Sequence, residues 1–146
     1  MFGPENAELT VHTKRAGAAA KAGHDLTLLV ERWSATVDGD AVTLDADPRS
    51  LRVVKGAGGI TSLGDEEKAA ITRTIDKEVL KGQPIRYADG ALTLNGVTRP
   101  IDVTWDGTEG RARVKQTDFK IKPYSALFGT LRVADEVEVR VRRIDG

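Results

Sequence analysis

The sequence predicts a mainly β protein: an antiparallel β-barrel, or a strongly curved half-barrel, of about eight strands with one covering helix. Three observations indicate this class. Apolar and polar residues alternate over many short stretches, as in strands with one buried and one solvated face. Asn-Gly and Asp-Gly pairs separate several of these stretches and favour tight hairpin turns. Only residues 65–81 show a helical period, and a sheet of this size curls or closes to remove its edges.

The composition limits both the size of the fold and the classes of function. The chain has 146 residues, with 22 acidic and 22 basic residues and no cysteine. We expect one domain over residues 1–146, without disulfides or thiol catalysis, and without the net positive charge typical of nucleic-acid binding. No apolar run approaches the ~20 residues that span a bilayer, and the first ten residues do not resemble a signal peptide. The sequence therefore predicts a cytoplasmic location.

The first half of the chain alternates in a pattern typical of strands. A first strand is predicted over residues 7–13, whereas the alanine-rich residues 17–23 fit either one helical turn or an irregular crossing. The next long strand changes the phase of its alternation near Glu31 and Arg32, which predicts a β-bulge. The glycine-rich residues 55–63 are predicted to be a loop.

Residues 65–81 form the one helix that the sequence predicts. Its apolar stripe recurs at helical spacing and consists of Ile71, Ile75, Val79 and Leu80. Asp65 is the predicted N-cap, because its carboxylate can accept a hydrogen bond from a backbone N–H of the first turn. Gly82 suits the left-handed conformation that ends a helix, and Pro84 prevents continuation. We expect the helix to pack its stripe against the sheet.

The segment LTLNGVTRPIDVTW is predicted to contain the central hairpin of the sheet. Its Asn95-Gly96 pair tolerates the positive φ that both central residues of a type I′ turn require. This turn would place Leu94 opposite Val97 in the ladder. Pro100 has no N–H to donate, so we expect a bulge or an edge strand beside it.

Few residues fit the patterns of catalytic or metal sites. His24 and Asp25 are adjacent, but neighbouring side chains of a strand point to opposite faces, so a structural role is the favoured interpretation. A metal or hydrolase site that combines them with His12 is the alternative, and it needs all three groups within a few ångströms of each other. No serine lies in a nucleophile motif. The sequence therefore predicts no catalytic residue, metal or cofactor.

Bulky apolar residues near strand ends and in one loop are the remaining candidates for a binding site. Each of them alone is best explained as part of the core. Together they would form an apolar tract at a barrel mouth, which suits a lipid-like ligand. These residues are Trp33, Trp105, Phe119, Tyr124, Leu127 and Phe128.

Several segments of the chain, taken in order, resemble one family. LTLNGVTRP, residues 92–100, is similar to a signature of the form LT-x-x-GVT-x-P. GHDLTLLVERWSATVD at residues 23–38, QTDFKIKPYSALFG at 116–129 and VADEVEV at 133–139 look like further strands of the same family. By these motifs the chain resembles the YceI-like family, and the resemblance implies a lipocalin-like barrel that binds polyisoprenoid or fatty-acyl lipids.

The leading hypothesis is a non-enzymatic carrier or sequestering protein that holds a hydrophobic chain inside the barrel. The partner would be a polyisoprenoid or fatty-acyl molecule, no nucleic acid is expected, and a homodimer is a candidate assembly. A polar head group would meet His24, Lys120 or Lys122 near the mouth. The residues expected around the tail are Trp33, Trp105, Phe119, Ile121, Tyr124, Leu127 and Phe128.

One departure from the family pattern leaves an alternative open. The hairpin over residues 85–94 is shorter than is usual in the family, with Asp89 and Gly90 as its whole turn. A trimmed barrel end implies a smaller cavity, or none, and a filled barrel would act as a structural or protein-interaction module. Continuous interior space of several hundred Å³ would favour the carrier instead.

Overall fold

The computed structural model describes residues 1–17, 24–58, 63–126 and 131–144, and it confirms the mainly β class. Leu127, Phe128 and most of the alanine-rich segment 17–23 lie outside these described residues. Two large antiparallel sheets and a small one contain the strands, and a helical segment packs beside them. The alternating apolar residues of both large sheets face a shared interior.

Within the described residues, the larger sheet has six strands and its partner has five. The larger sheet contains, in spatial order, β10 (Val103–Trp105), β11 (Glu109–Lys115), β14 (Glu136–Arg143), β1 (Ala7–His12), β3 (Asp25–Val30) and β6 (Leu51–Ala57). The other large sheet contains β4 (Trp33–Asp38), β5 (Ala41–Ala46), β7 (Ile85–Ala88), β8 (Ala91–Leu94) and β9 (Val97–Pro100). The small sheet joins β12 (Ser125–Ala126), β13 (Leu131–Val133) and β2 (Arg15–Ala16).

The two large sheets face each other like the halves of an open barrel. The chain passes from one to the other four times, between β3 and β4, between β5 and β6, between β6 and β7 by way of the helix, and between β9 and β10. A backbone bridge adds a further link, because the N–H groups of Phe2 and Ala35 each donate to the other residue's carbonyl, at 2.8 and 2.9 Å. Apart from this bridge, the pairing among the described strands does not run from one large sheet into the other.

Two local predictions are wrong, because alternation along the chain does not reveal which sheet a strand joins. Glu31 and Arg32 lie between β3 and β4, so the phase change there marks the crossing between sheets and not a β-bulge. The register of β3 against β6 shifts elsewhere, between Thr27 and Leu28. Residues 55–57, predicted as loop, extend β6 along β3.

The central hairpin forms as its sequence predicts. Leu94 lies opposite Val97, and the two turn residues, Asn95 and Gly96, have φ values of 53° and 73°. Pro100 ends β9, which is an edge strand of the five-stranded sheet. The missing N–H of this proline therefore leaves no gap inside the ladder.

The helix spans the predicted region but differs at both ends. The α-helical part, α1 (Asp65–Thr74), continues as a π-helical stretch over Ile75–Leu80. Gly64 is the N-cap instead of Asp65, because its backbone is extended and its carbonyl accepts the first helical N–H bond at 3.0 Å. At the other end Lys81 and the glycine after it both take positive φ, 54° and 71°. These left-handed residues turn the chain toward β7.

The helix is fixed to the larger sheet through β6. The Thr72 hydroxyl accepts a hydrogen bond from the backbone N–H of Val53 at 3.0 Å. This contact sets the rotation of the helix, so that its apolar stripe faces the interior between the sheets. The interior-facing stripe consists of Ile71, Ile75, Val79 and Leu80.

Two groups of buried side chains form the packed parts of the interior. The first, the packed cluster, consists of Ala7, Leu9, Val30, Trp33 and Ala35. The second consists of Leu92, Val114, Phe119 and Ile121. Phe119, only 1% exposed, is the most deeply buried large side chain among the described residues.

Candidate ligand-binding site

A cavity of about 1070 Å³ lies between the two large sheets and the helix. Strands β1, β3, β11 and β14 supply one wall, β4, β5, β7 and β8 supply the other, and the helical stripe closes a side. The volume lies just above the roughly 300–1,000 Å³ range of small-molecule pockets. The interior is therefore a space large enough for a ligand and not a filled core.

The walls are apolar because every second residue of a strand points inward. On β14 the inward side chains are Val137, Val139 and Val141, and on β1 they include Leu9 and Val11. The residues between them face the outer side of the sheet. A run that alternates over six to eight residues thus lines the cavity along its whole length.

The cavity opens to solvent at one end, here named the tryptophan mouth, which is formed by Val37, Val42, Val103 and Trp105. These side chains line the cavity and are nevertheless 53%, 37%, 48% and 53% exposed. The Trp105 ring lies against Gly110 on β11, where a Cβ atom would stand only 3.1 Å from the ring. An aromatic ring laid over a strand glycine replaces the missing side-chain packing. Contiguous exposed apolar groups at a cavity rim are typical of a ligand entrance.

A shortened hairpin ends at the tryptophan mouth. Asp89 and Gly90, with φ of 53° and 77°, join β7 directly to β8. The pairing of Thr43 with Ala88 places this turn beside Val42. The short hairpin lies at the open end of a cavity of about 1070 Å³, so the prediction of an absent cavity is wrong.

The other end of the cavity has a polar lining, here named the polar pole, which is formed by Thr13, Arg15, His24, Gln116 and Tyr124. Strand register gathers these residues. Arg15 lies opposite Val133 in the small sheet, and the Val133 N–H donates to the Tyr124 carbonyl at 2.9 Å. The Gln116 side chain donates to the carbonyl of Ala134, the next residue, at 3.1 Å. Four residues with polar side chains and one tyrosine thus line the same part of the cavity.

An ion-paired carboxylate supports the polar pole from outside the cavity. The backbone N–H of Arg15 donates to Asp25 Oδ1 at 2.9 Å, and the Arg15 guanidinium Nε lies 3.9 Å from the same oxygen. Lys14 Nζ lies 3.6 Å from the other oxygen of Asp25. Two cations therefore share one carboxylate beside this end of the cavity.

His12 lies on the outer face of β1, away from the cavity. Its Nε2 lies 2.9 Å from the Thr10 hydroxyl, and partial burial, with the nearby Arg140 cation, lowers the pKa of the imidazole. His24 lines the cavity, so the two histidines are on opposite faces. No group of three metal-binding side chains occurs within the described ranges. The alternative metal site of His12, His24 and Asp25 is therefore not assembled.

The structure divides the residues that the sequence analysis assigned to the ligand. Four of them line the cavity: His24, Trp105, Ile121 and Tyr124. Trp33 and Phe119 are 7% and 1% exposed within the two packed groups and are not among the lining residues. Lys120 ends the short helix Gln116–Phe119 and does not line the cavity either. Leu127 and Phe128 lie outside the described residues, so their role stays a prediction.

Sequence reasoning missed most of the cavity wall. It assigned aromatic residues to the ligand, whereas aliphatic residues of the strands and of the helix form most of the lining. The regular alternation of β14, with Val137, Val139 and Val141, was an available signal for an inward row. Arg15 was missed because its place beside His24 depends on pairing with β13, far along the chain.

Three comparisons with known proteins bear on this fold. Residues 65–143, more than half of the chain, match the family model of the YceI-like domain. The crystal structure of BcnA from Burkholderia cenocepacia is similar over 94% of both chains, with a TM-score of 0.58 and 17% sequence identity. At that identity the likeness supports the fold alone. No curated protein matches the chain significantly. In addition, no helix of the described residues combines the length and apolar character needed to cross a membrane.

Proposed function

The chain belongs to the YceI-like family, and on that premise we propose that it binds a hydrophobic molecule in its cavity, as a non-enzymatic carrier or sequestering protein. We include all of residues 1–146 in one binding domain. The observation that carries the proposal is the cavity of about 1070 Å³ with apolar walls and an apolar mouth. Removing apolar ligand surface from water would drive binding, at about 25 cal/mol per Å².

An isoprenoid or fatty-acyl chain fits the shape and size of this space. If each non-hydrogen atom takes about the 30 Å³ of a water molecule in the liquid, the cavity holds roughly 35 such atoms. The inward rows of β1 and β14 run from the polar pole to the tryptophan mouth, which gives an elongated apolar path. A long flexible chain can follow this path and stay in contact with both walls.

The cavity argues against the filled-barrel alternative, because a structural module would have no use for open interior space of this size. The hydrolase alternative loses its basis as well, since His12 lies on the outer face. A cytoplasmic location and a homodimer stay predictions.

The proposal can be tested with a neutral, environment-sensitive dye. Nile red is titrated into delipidated protein, and we expect saturable binding with one site per chain. Ile71 lines the cavity from α1, so Ile71→Glu places a carboxylate where the probe must cover it. Because burying an unpaired charge is costly, we expect at least about tenfold weaker binding.

Ala69→Glu is the matched control, since Ala69 is exposed on the same helix and does not line the cavity. This variant should bind Nile red as the wild-type protein does. Equal binding by the two glutamate variants, or no saturable binding by folded wild-type protein, would contradict the proposed function.

A further inference from the structure

One edge of the larger sheet, here named the open edge of β10, has no partner strand. Among the described strands, β10 pairs with β11 alone and stands at the end of its sheet. The Asp106 N–H donates to the Glu109 carbonyl at 3.2 Å, and bonded pairs alternate with non-bonded pairs along an antiparallel ladder. Thr104 therefore bonds to β11 as well. The N–H and C=O groups of Val103 and Trp105 point away from β11, toward the open edge.

The shortened hairpin of β7 and β8 accounts for this open edge. Just beyond the last paired residues of β8 and β9, the Ile101 N–H donates to the Gly90 carbonyl at 3.1 Å. The chain then turns back into β7 through Asp89 and Gly90. Val103 and Trp105 follow Ile101 by two and four residues, so their backbone groups point to the same side as its N–H. Within the described ranges, the short hairpin therefore ends before it can pair with β10.

The side chains along the open edge suit a further strand. Val103 and Trp105 are 48% and 53% exposed and line the tryptophan mouth, whereas Thr104 faces the outer side of the sheet. Unpaired backbone groups beside exposed apolar side chains are a template for another chain. In peptides that add a strand to a sheet, backbone hydrogen bonds supply affinity and alternate side chains supply specificity.

Two carboxylates flank the open edge and restrict its partner. Asp102 and Asp106 are exposed and do not line the cavity. Backbone N–H groups of Glu109 and Thr108 donate to Asp106 at 2.7 and 2.9 Å and lower its pKa, so it stays ionised. If β10 paired antiparallel with β10 of a second copy about Thr104, each Asp102 would lie opposite an Asp106. Because like charges directly opposite destabilise a sheet, the open edge disfavours its own copy and favours a strand with flanking cations.

We propose that the open edge of β10 binds an extended peptide segment of a partner protein, which adds a strand to the larger sheet. Opposite Val103 and Trp105 this segment has apolar residues, and opposite Asp102 and Asp106 it has basic ones. Its pattern is thus basic, apolar, polar, apolar, basic. Bound in this way, the segment covers part of the tryptophan mouth. The open edge does not depend on a ligand in the cavity, so failure of this inference would leave the proposed function intact.

Three labelled peptides test the proposal on the full-length protein by fluorescence anisotropy. The first is Ser-Lys-Val-Thr-Val-Lys-Ser, the second has glutamate in place of both lysines, and the third has N-methylated valines that cannot donate to the edge. We expect saturable binding of the first peptide. The other two should bind at least about tenfold more weakly, because one loses the ion pairs and the other loses the backbone hydrogen bonds. Equal binding of all three, or no binding of the first at about 1 mM, would overturn the proposal.

Matched substitutions locate the bound strand. Val103→Pro removes an N–H from the open edge and none from the ladder with β11, and proline is tolerated in edge strands. Val103→Thr keeps both the N–H and a branched side chain. Of these two variants, only the proline variant should lose about tenfold in affinity for the lysine peptide, and circular dichroism checks that both fold. Equal affinity of the two folded variants would contradict the assignment to β10.

A charge reversal tests the partner without relying on proline. Asp102→Lys should weaken binding of the lysine peptide and strengthen binding of the glutamate peptide. Unchanged affinity for both peptides would contradict the role of the flanking carboxylates. Self-association of the wild-type chain in analytical ultracentrifugation, abolished by Val103→Pro, would assign the open edge to a second copy and overturn the peptide partner.

Discussion

The two tryptophans of the chain have opposite surroundings. Trp33 is 7% exposed and packs in the cluster with Leu9 and Ala35, whereas Trp105 is 53% exposed at the rim of the cavity. Both side chains begin or end short strands and look alike in the sequence. The two surroundings indicate two roles. The packed cluster, with Trp33, holds the sheets together, whereas the tryptophan mouth leaves apolar surface that a ligand can cover.

An exposed apolar rim costs free energy in the free protein, because water must solvate it. Folded proteins rarely leave large contiguous patches of this kind without a use. The packed cluster gains the same kind of burial at once, on folding. Trp33 does not line the cavity, so we expect its substitution to change the free energy of unfolding, whereas substitution of Trp105 at the mouth should change the free energy of binding.

The largest expected effect is on stability. Trp33→Ala should lower the free energy of unfolding by about 3–5 kcal/mol, since it removes a large side chain from a packed site. Trp105→Ala, the matched substitution at the mouth, should change it by only about 0.5 kcal/mol. Urea unfolding followed by circular dichroism measures both. Equal destabilisation by the two variants would break the distinction between cluster and mouth.

The second effect is ligand-linked stability. A ligand that binds only the folded chain should raise the free energy of unfolding by about 2.7 kcal/mol at a hundred times its Kd. We expect this rise with palmitate or farnesyl phosphate in thermal or urea unfolding. Ile71→Glu, which places charge in the cavity, should lose the rise, and exposed Ala69→Glu should keep it. If the Ile71→Glu variant kept this rise in the free energy of unfolding, the bound molecule would lie outside the cavity.

A smaller effect is expected on affinity at the rim. Trp105→Ala should weaken Nile red binding by about tenfold, which corresponds to ~1.4 kcal/mol, because the ligand no longer covers an aromatic ring. Trp105→Phe should restore most of the affinity, as it keeps an aromatic side chain over Gly110. If the Trp105→Ala variant binds Nile red as tightly as the Trp105→Phe variant does, the mouth is not part of the ligand-binding surface.

The smallest effect concerns pH and the outer face. The pKa of His12 is lower in the folded chain than its ordinary value near 6.5, first because of burial. Its contribution to stability is therefore fully present above the unfolded pKa and is lost as the pH falls toward the folded pKa. His12→Asn should lose less stability than the wild-type protein between about pH 7.5 and 5.5. Nile red binding by this variant should stay unchanged, because His12 faces away from the cavity. If both proteins lost the same stability over this pH range, the lowered pKa of His12 in the folded chain would be contradicted.

Features set by neighbouring residues could be predicted from the sequence. The Asn95-Gly96 turn and the register of Leu94 with Val97 follow from backbone conformations that few residues tolerate. The helix could be found because its apolar stripe has a period that strands do not share. The N-cap is Gly64, one residue before the predicted Asp65, because the backbone of Gly64 is extended.

Features set by distant residues could not be predicted. A phase change at Glu31 and Arg32 fits a bulge as well as a crossing between sheets, and only the pairing partners of β3 and β4 distinguish the two. The short hairpin at Asp89 suggested a smaller cavity, but the cavity depends on the separation of two sheets and on where the helix docks. Phe119 was assigned to the ligand by its size and its place near a strand end, although it is only 1% exposed within a packed group.

Native mass spectrometry of the intact chain, purified without detergent, tests the central claim most directly. The expected result is a population whose mass exceeds that of the bare chain by one hydrophobic molecule, removable by organic extraction and restored by incubation with palmitate or farnesyl phosphate. Ile71→Glu should carry much less of it than Ala69→Glu. A folded wild-type chain that keeps its bare mass, before and after incubation with both molecules, would contradict a ligand-binding cavity.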